Sequence, residues 1–129
     1  MSPGSTLRLL SFVSGEVAHM IEGLWIVQYE GTHGGDGGVI VFVNGQVLGG
    51  DNGFIYTGKY TSDDKSISAR VQIRNFAPGI QNVLGVKGDF ELAVQGTIQG
   101  NTIKGSASLI NQQGPSMVLK LTKVTELDR

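Results

Sequence analysis

Apolar and polar residues alternate with a period of two along most of residues 23–121. The clearest run is residues 67–74 (ISARVQIR), in which every second side chain is apolar. Successive side chains of a β-strand point to opposite faces of a sheet, so this period is typical of strands with one buried and one solvated face. The first such run places Trp25, Val27 and Tyr29 on one face. The pattern predicts a sheet protein in which most strands bury one side.

Turn signals divide this pattern into short strands. Asn44-Gly45 is the strongest signal, because both residues tolerate the positive φ that a type I′ hairpin turn requires. The polar residues 61–65 and the pair Gly100-Asn101 are further turns, and the glycine-rich residues 32–38 are predicted to form a turn between the first two strands. We predict strands at residues 24–30, 39–43, 46–48, 54–60, 67–73, 90–98, 103–109 and 117–121, of which the second is apolar on both faces.

The short connections predict antiparallel order, because a parallel pair needs a long crossover and no helical run of that length is present. Closing the sheet also removes exposed strand edges. We therefore predict an all-β fold, an antiparallel up-and-down barrel of about eight strands. Its one irregular connection lies around residues 76–88, as a crossing loop or a short helical turn, and a two-sheet sandwich is the alternative fold.

The predicted barrel domain covers residues 20–125, followed by a charged tail at residues 126–129. Residues 1–19 are interpreted as an N-terminal extension, either peripheral or not native to the protein. Their apolar stretch is interrupted by Arg8 and followed by Glu16, which argues against a signal peptide or a membrane span. We expect a cytoplasmic protein.

The net charge and the cysteine content argue against several functions for this chain. The formal net charge is −1 and the pI is about 6.1, so no long-range field attracts phosphate backbones or anionic lipids. We therefore expect neither direct nucleic-acid binding nor membrane binding. The chain has 0 Cys, which excludes disulfides, thiolate metal ligands and a cysteine nucleophile.

No motif in the sequence indicates catalysis or metal binding. The glycine-rich residues 34–38 lack the Lys and Ser/Thr of a phosphate-binding loop, and residues 49–53 have too few carboxylates for a calcium loop. The two histidines, His19 and His33, have no evident nucleophile beside them. The carboxylates, Asp51 included, are predicted to lie in turns or at outward positions. We predict a protein that is not an enzyme and has no metal and no cofactor.

Six aromatic residues are candidates for the barrel interior. An eight-stranded barrel is just wide enough to be filled by side chains or to hold one small ligand. The same residues therefore predict either an ordinary packed core or a cavity for a small apolar ligand. They are Trp25, Phe42, Phe54, Tyr56, Tyr60 and Phe90.

Two stretches of the chain together carry a family resemblance. Residues 20–25 (MIEGLW) are followed by residues 37–60 (GGVIVFVNGQVLGGDNGFIYTGKY), which combine a hairpin, a Gly-Gly-Asp loop and an aromatic strand. In this combination the chain resembles the GrlR-like family, bacterial negative regulators of type III secretion. The likeness extends over about residues 20–121.

The resemblance implies a lipocalin-like barrel that forms a homodimer and sequesters a transcriptional activator with a helix-turn-helix domain, without contacting DNA itself. It also implies an acidic surface turn that captures the partner, and the matching residues here are Asp63 and Asp64, followed by Lys65. An apolar outer strand face, with Ile40 or Val118 and their neighbours, would supply further contact surface. A barrel that binds a small apolar ligand is the alternative function.

Overall fold

The computed structural model describes residues 21–31, 34–80 and 82–128. Our expectations for residues 1–19, including His19, and for His33 therefore lie outside the described residues. The last strand ends one residue inside the predicted tail. The strands are β1 (Gly23–Gly31), β2 (Gly34–Val43), β3 (Gln46–Gly50), β4 (Phe54–Ser62), β5 (Ser66–Asn75), β6 (Phe90–Gln99), β7 (Thr102–Leu109) and β8 (Met117–Glu126).

The eight strands form one closed antiparallel barrel in chain order, and β1 pairs with β8 to complete it. This confirms the predicted up-and-down barrel over the two-sheet sandwich. Alternation explains the closure: β5, for example, buries Ile67, Ala69 and Val71 and exposes the residues between them. A single layer with one apolar face must curve around that face, and closure pairs both outer strands.

The predicted glycine-rich turn between the first two strands is wrong at residues 34–38, because β2 already begins at Gly34 and pairs with the end of β1. Glycine is needed in this strand for close packing. A Cβ at Gly38 would lie 2.6 Å from the backbone oxygen of Gly50 and 2.9 Å from the Tyr56 hydroxyl. The missing side chain at Gly38 thus lets β2 lie close to these groups, and glycine in a strand often marks such a close approach.

One end of the barrel carries the short β2–β3, β4–β5 and β6–β7 turns, and we call it the hairpin end. It is filled by aromatic packing. Phe42 makes edge-to-face contacts with Trp25, at 5.9 Å between ring centroids, and with Tyr60, at 5.0 Å. The Trp25 indole N–H donates to the backbone oxygen of Ile21 at 2.7 Å, and buried Glu22 accepts from the Asn44 N–H at 2.6 Å. The segment before β1 and the β2–β3 turn thereby close this end.

The opposite end is covered by the connection between β5 and β6, residues 76–80 and 82–89, which we call the crossing segment. It consists of turns, so the crossing-loop interpretation is correct. The N–H of Phe76 donates to the backbone oxygen of Gly53 at 3.0 Å, and a Cβ at Gly31 would lie 2.9 Å from the Val83 oxygen. The segment therefore reaches from β5 to β1, and its Leu84 side chain is buried in the core.

Candidate functional site

An internal cavity of about 90 Å³ lies in the barrel, between the crossing segment and the aromatic layer of the hairpin end. Four of the six predicted aromatic residues line it, and Ile40 of β2 lines it as well. Trp25 and Tyr60 do not; they pack against Phe42 nearer the hairpin end. The four predicted aromatics that line the cavity are Phe42, Phe54, Tyr56 and Phe90.

Three polar residues at the cavity edge form what we call the tyrosine–aspartate cluster: Tyr29, Asp51 and Tyr56. One Asp51 carboxylate oxygen, Oδ2, accepts a hydrogen bond from the Tyr29 hydroxyl at 2.5 Å and another from the Tyr56 hydroxyl. The other oxygen, Oδ1, accepts from the backbone N–H groups of Gly53 and Phe54, both at 2.9 Å. Asp51 thus acts as an acceptor at every one of these contacts.

Local backbone geometry places this carboxylate. The Asp51 N–H donates to the Phe54 oxygen at 3.0 Å, which closes the tight connection between β3 and β4. An aspartate at the start of such a turn folds its side chain back onto the N–H groups two and three residues ahead. That turn leaves Oδ2 pointing at the two phenols.

Both phenols are held in the protonated form. Burial raises the pKa of Tyr29 and of Tyr56, and the hydrogen bonds to Asp51 raise each pKa further. The two hydroxyls also lie near each other, at 3.4 Å between oxygens. The three side chains therefore form one hydrogen-bond network in which both phenolic protons are directed at the carboxylate.

Asp51 lies in the turn between β3 and β4, in agreement with our prediction of a turn or an outward position. Its side chain faces the barrel interior. A signal for this was present in the sequence. Counting by two from Val47, an inward residue of β3, reaches Gly49 and then Asp51 on the same side. The two glycines of β3 have no side chains, so the alternation of inward and outward residues could not be followed from Val47 to Asp51 in the sequence.

Asn82 of the crossing segment also lines the cavity, but its amide group is engaged by its own segment. Its Oδ1 accepts from the N–H groups of Leu84 at 2.9 Å and Val86 at 3.1 Å, and its Nδ2 donates to the Val86 oxygen. These bonds fix the turn that inserts Leu84 into the core. The wall facing the cavity is consequently apolar.

The acidic turn predicted for partner binding lies at the hairpin end, away from the cavity. Asp63 Oδ1 accepts hydrogen bonds from the N–H groups of Lys65 and Ser66, both at 2.8 Å, and from the Ser66 hydroxyl at 3.1 Å. The backbone hydrogen bonds from Lys65 and Ser66 lower the pKa of Asp63. Asp64 is exposed in the same turn.

The outer surface carries exposed aliphatic side chains on three adjacent strands, which we call the outer apolar patch: Ile26, Val39 and Leu48. They are 45%, 47% and 41% exposed, respectively. Ile26 lies directly opposite Val39 in the β1–β2 register, and Leu48 lies diagonal to Val39 on β3. Our expectation that Ile40 lies on an outer face is wrong, since its neighbour Val39 faces outward and Ile40 faces the cavity. Val118 is exposed, at 68%.

Within residues 21–31, 34–80 and 82–128, no three His, Cys, Asp or Glu side chains are grouped so as to hold a metal ion. The same residues contain no helix with the length and apolar character needed to cross a membrane. No protein-family model matches the chain, and no curated protein matches it either.

Proposed function

We propose that this chain is a non-enzymatic, cytoplasmic regulatory protein that acts by binding and sequestering another protein. The partner proposed from the family resemblance is a transcriptional activator with a helix-turn-helix domain. The observation that carries the proposal is the outer apolar patch, on a barrel of the architecture that the resemblance implies. Contiguous exposed apolar side chains on a small soluble domain mark interaction surfaces.

The outer apolar patch is proposed as the homodimer surface. Its three side chains are branched aliphatics on neighbouring strands, which offer an apolar surface for a second copy to cover. The net charge of −1 means that two copies repel each other only weakly. A symmetric dimer would place the same side chains of both copies against each other.

The acidic turn is proposed as the surface that captures the activator. A DNA-binding domain is basic on the face that contacts phosphates, so exposed carboxylates complement it. Asp63 and Asp64 lie at the hairpin end, whereas the outer apolar patch lies on the β1–β3 wall. The dimer and the activator therefore use separate surfaces.

Two pairs of variants test the proposal. Ile26→Lys puts a charge into the patch, and Gln72→Lys adds the same charge at an exposed position of β5. Light scattering after size exclusion is expected to give a dimer for the wild type and Gln72→Lys, and a monomer for Ile26→Lys. A monomeric wild type contradicts the dimer proposal.

For the activator, the purified full chain is used as bait and the captured protein is identified, purified and titrated back by calorimetry. The Asp63→Asn/Asp64→Asn double variant is expected to bind it at least tenfold more weakly. Asp36→Asn, which removes an exposed carboxylate outside the turn, is expected to bind as the wild type does. Capture of no DNA-binding protein contradicts the sequestration proposal.

A second candidate function is the binding of a small apolar ligand, and the observation that favours it is the internal cavity of about 90 Å³. An apolar cavity of about 150 Å³ binds benzene, so by simple scaling this cavity has room for about four non-hydrogen atoms. Methyl NMR spectra of the purified chain with dissolved n-butane test this candidate. Shifts at the lining residues Ile73 and Leu92 are expected, and unchanged spectra at saturation contradict it.

A further inference from the structure

The tyrosine–aspartate cluster has consequences for which molecules the cavity can accept. Its carboxylate receives four hydrogen bonds, two from phenols and two from backbone N–H groups. A carboxylate offers about four acceptor positions, so those of Asp51 are occupied. Both phenolic protons are already donated to that carboxylate. Polar residues therefore lie at the cavity edge while the surface that faces a ligand is apolar.

We propose that the barrel interior selects small hydrocarbon-like molecules and rejects molecules of the same size that carry a hydroxyl or carboxylate group. The proposal rests on the second candidate function above. A buried hydroxyl without a partner costs free energy, and the surface that faces a ligand presents no polar atom to it, so that neither Asp51 nor a phenol oxygen is available as an acceptor. A ligand carboxylate is disfavoured more strongly, because it would lie near the Asp51 carboxylate and find no free donor in the cluster.

The two tyrosines are positioning residues in this scheme. Each hydroxyl occupies acceptor capacity of Asp51 Oδ2 that would otherwise face a polar ligand. Tyr56 is the more informative of the two, because it is only 6% exposed and water cannot easily take the place of its hydroxyl. Removing that oxygen while keeping the ring frees one acceptor position on a carboxylate at the cavity edge.

The experiment compares n-butane, 1-propanol and acetate, which have the same number of non-hydrogen atoms, by methyl NMR titration of the full chain. In the wild type, n-butane is expected to bind roughly tenfold to a hundredfold more tightly than 1-propanol, and acetate is expected not to bind. In Tyr56→Phe this preference is expected to shrink, because the freed Asp51 oxygen can accept from the alcohol. Tyr60→Phe makes the same change outside the cavity and is expected to leave the preference unchanged.

The outcomes separate this proposal from the one it rests on. If n-butane and 1-propanol bind equally well to the wild type, the cavity binds ligands but the proposed selectivity is wrong. If Tyr56→Phe binds n-butane with an unchanged preference over 1-propanol, the role of the cluster is wrong. If none of the three probes binds the wild type, the ligand-binding candidate and this inference both fail.

Discussion

Replacing Asp51 tests whether the tyrosine–aspartate cluster stabilises the end of the barrel that the crossing segment covers. Asp51→Ala removes the acceptor of two phenolic O–H groups and two backbone N–H groups at once. Asp51→Asn keeps an oxygen for the two N–H groups and replaces the other oxygen with a donor. The two phenol hydroxyls can rotate so that their oxygens accept hydrogen bonds from the new amide group.

The expected loss in the free energy of unfolding depends on whether each group that donates to Asp51 can find a new acceptor. The N–H groups of Gly53 and Phe54 lie in a turn, where losing the side-chain cap costs about 1 kcal/mol. Tyr56 is 6% exposed, so its unsatisfied hydroxyl costs about 2 kcal/mol. We therefore expect Asp51→Ala to lower the free energy of unfolding by about 3 kcal/mol, and Asp51→Asn by about 1 kcal/mol.

Urea denaturation measures both values, with Trp25 fluorescence as the probe. Trp25 is the only tryptophan and is 0% exposed, so its emission reports the loss of the core. Asp36→Ala serves as the control, since this exposed carboxylate accepts only from the adjacent Gly37 N–H among the described contacts and should cost less than about 0.5 kcal/mol. An Asp51→Ala variant as stable as the control, or equal losses for Ala and Asn, would refute the reasoning.

Three further predictions follow from the same structure. Gly38→Ala should cost about 2–3 kcal/mol in urea denaturation, because its Cβ would lie 2.6 Å from a backbone oxygen, whereas Gly79→Ala, which meets open space, should be nearly neutral. Because the pKa values of Tyr29 and Tyr56 are raised, their contribution to stability is complete below pH about 10 and is lost as pH rises further. Phenolate absorbance should accordingly show these two tyrosines ionising only with unfolding, and ionisation near pH 10 in the intact barrel would contradict this. Because the pKa of Asp63 is lowered in the folded state, its carboxylate stabilises the fold above pH about 4, and this stabilisation is lost as the pH falls below that value. In urea denaturation, the stability difference between the wild type and Asp63→Asn should therefore vanish in acid.

The barrel was predictable because most strands bury one face, so the alternation that sequence displays is the alternation that the sheet needs. β5 is the clearest case, with four buried residues at every second position. β2 shows where the signal fails. Its glycines at residues 34–38 carry no side chain and so read as a turn. Its residues 39–43 are all apolar, and the sequence therefore does not tell whether Val39 or Ile40 faces inward.

The cavity was predictable only in part, for physical reasons. Aromatic residues at every second position of a strand point into the barrel. Their distance from the hairpin end decides whether they line the cavity or pack beyond it, and that distance depends on how the strands are staggered. Phe42 belongs both to the aromatic packing of the hairpin end, since it packs on Trp25, and to the lining of the cavity. The cover supplied by Leu84 was not predicted, because it depends on how far the crossing segment reaches from β5.

The proposal that the chain sequesters an activator is tested most directly on the activator's own DNA. Fluorescence anisotropy of labelled operator DNA is measured with the captured activator bound, while the purified full chain is added. We predict that the anisotropy falls to the value of free DNA and that the chain without the activator leaves the anisotropy of the DNA unchanged. The Asp63→Asn/Asp64→Asn variant is expected to require at least tenfold more protein for the same fall. An anisotropy that stays constant, or that rises because the chain joins the complex on DNA, would contradict the sequestration proposal.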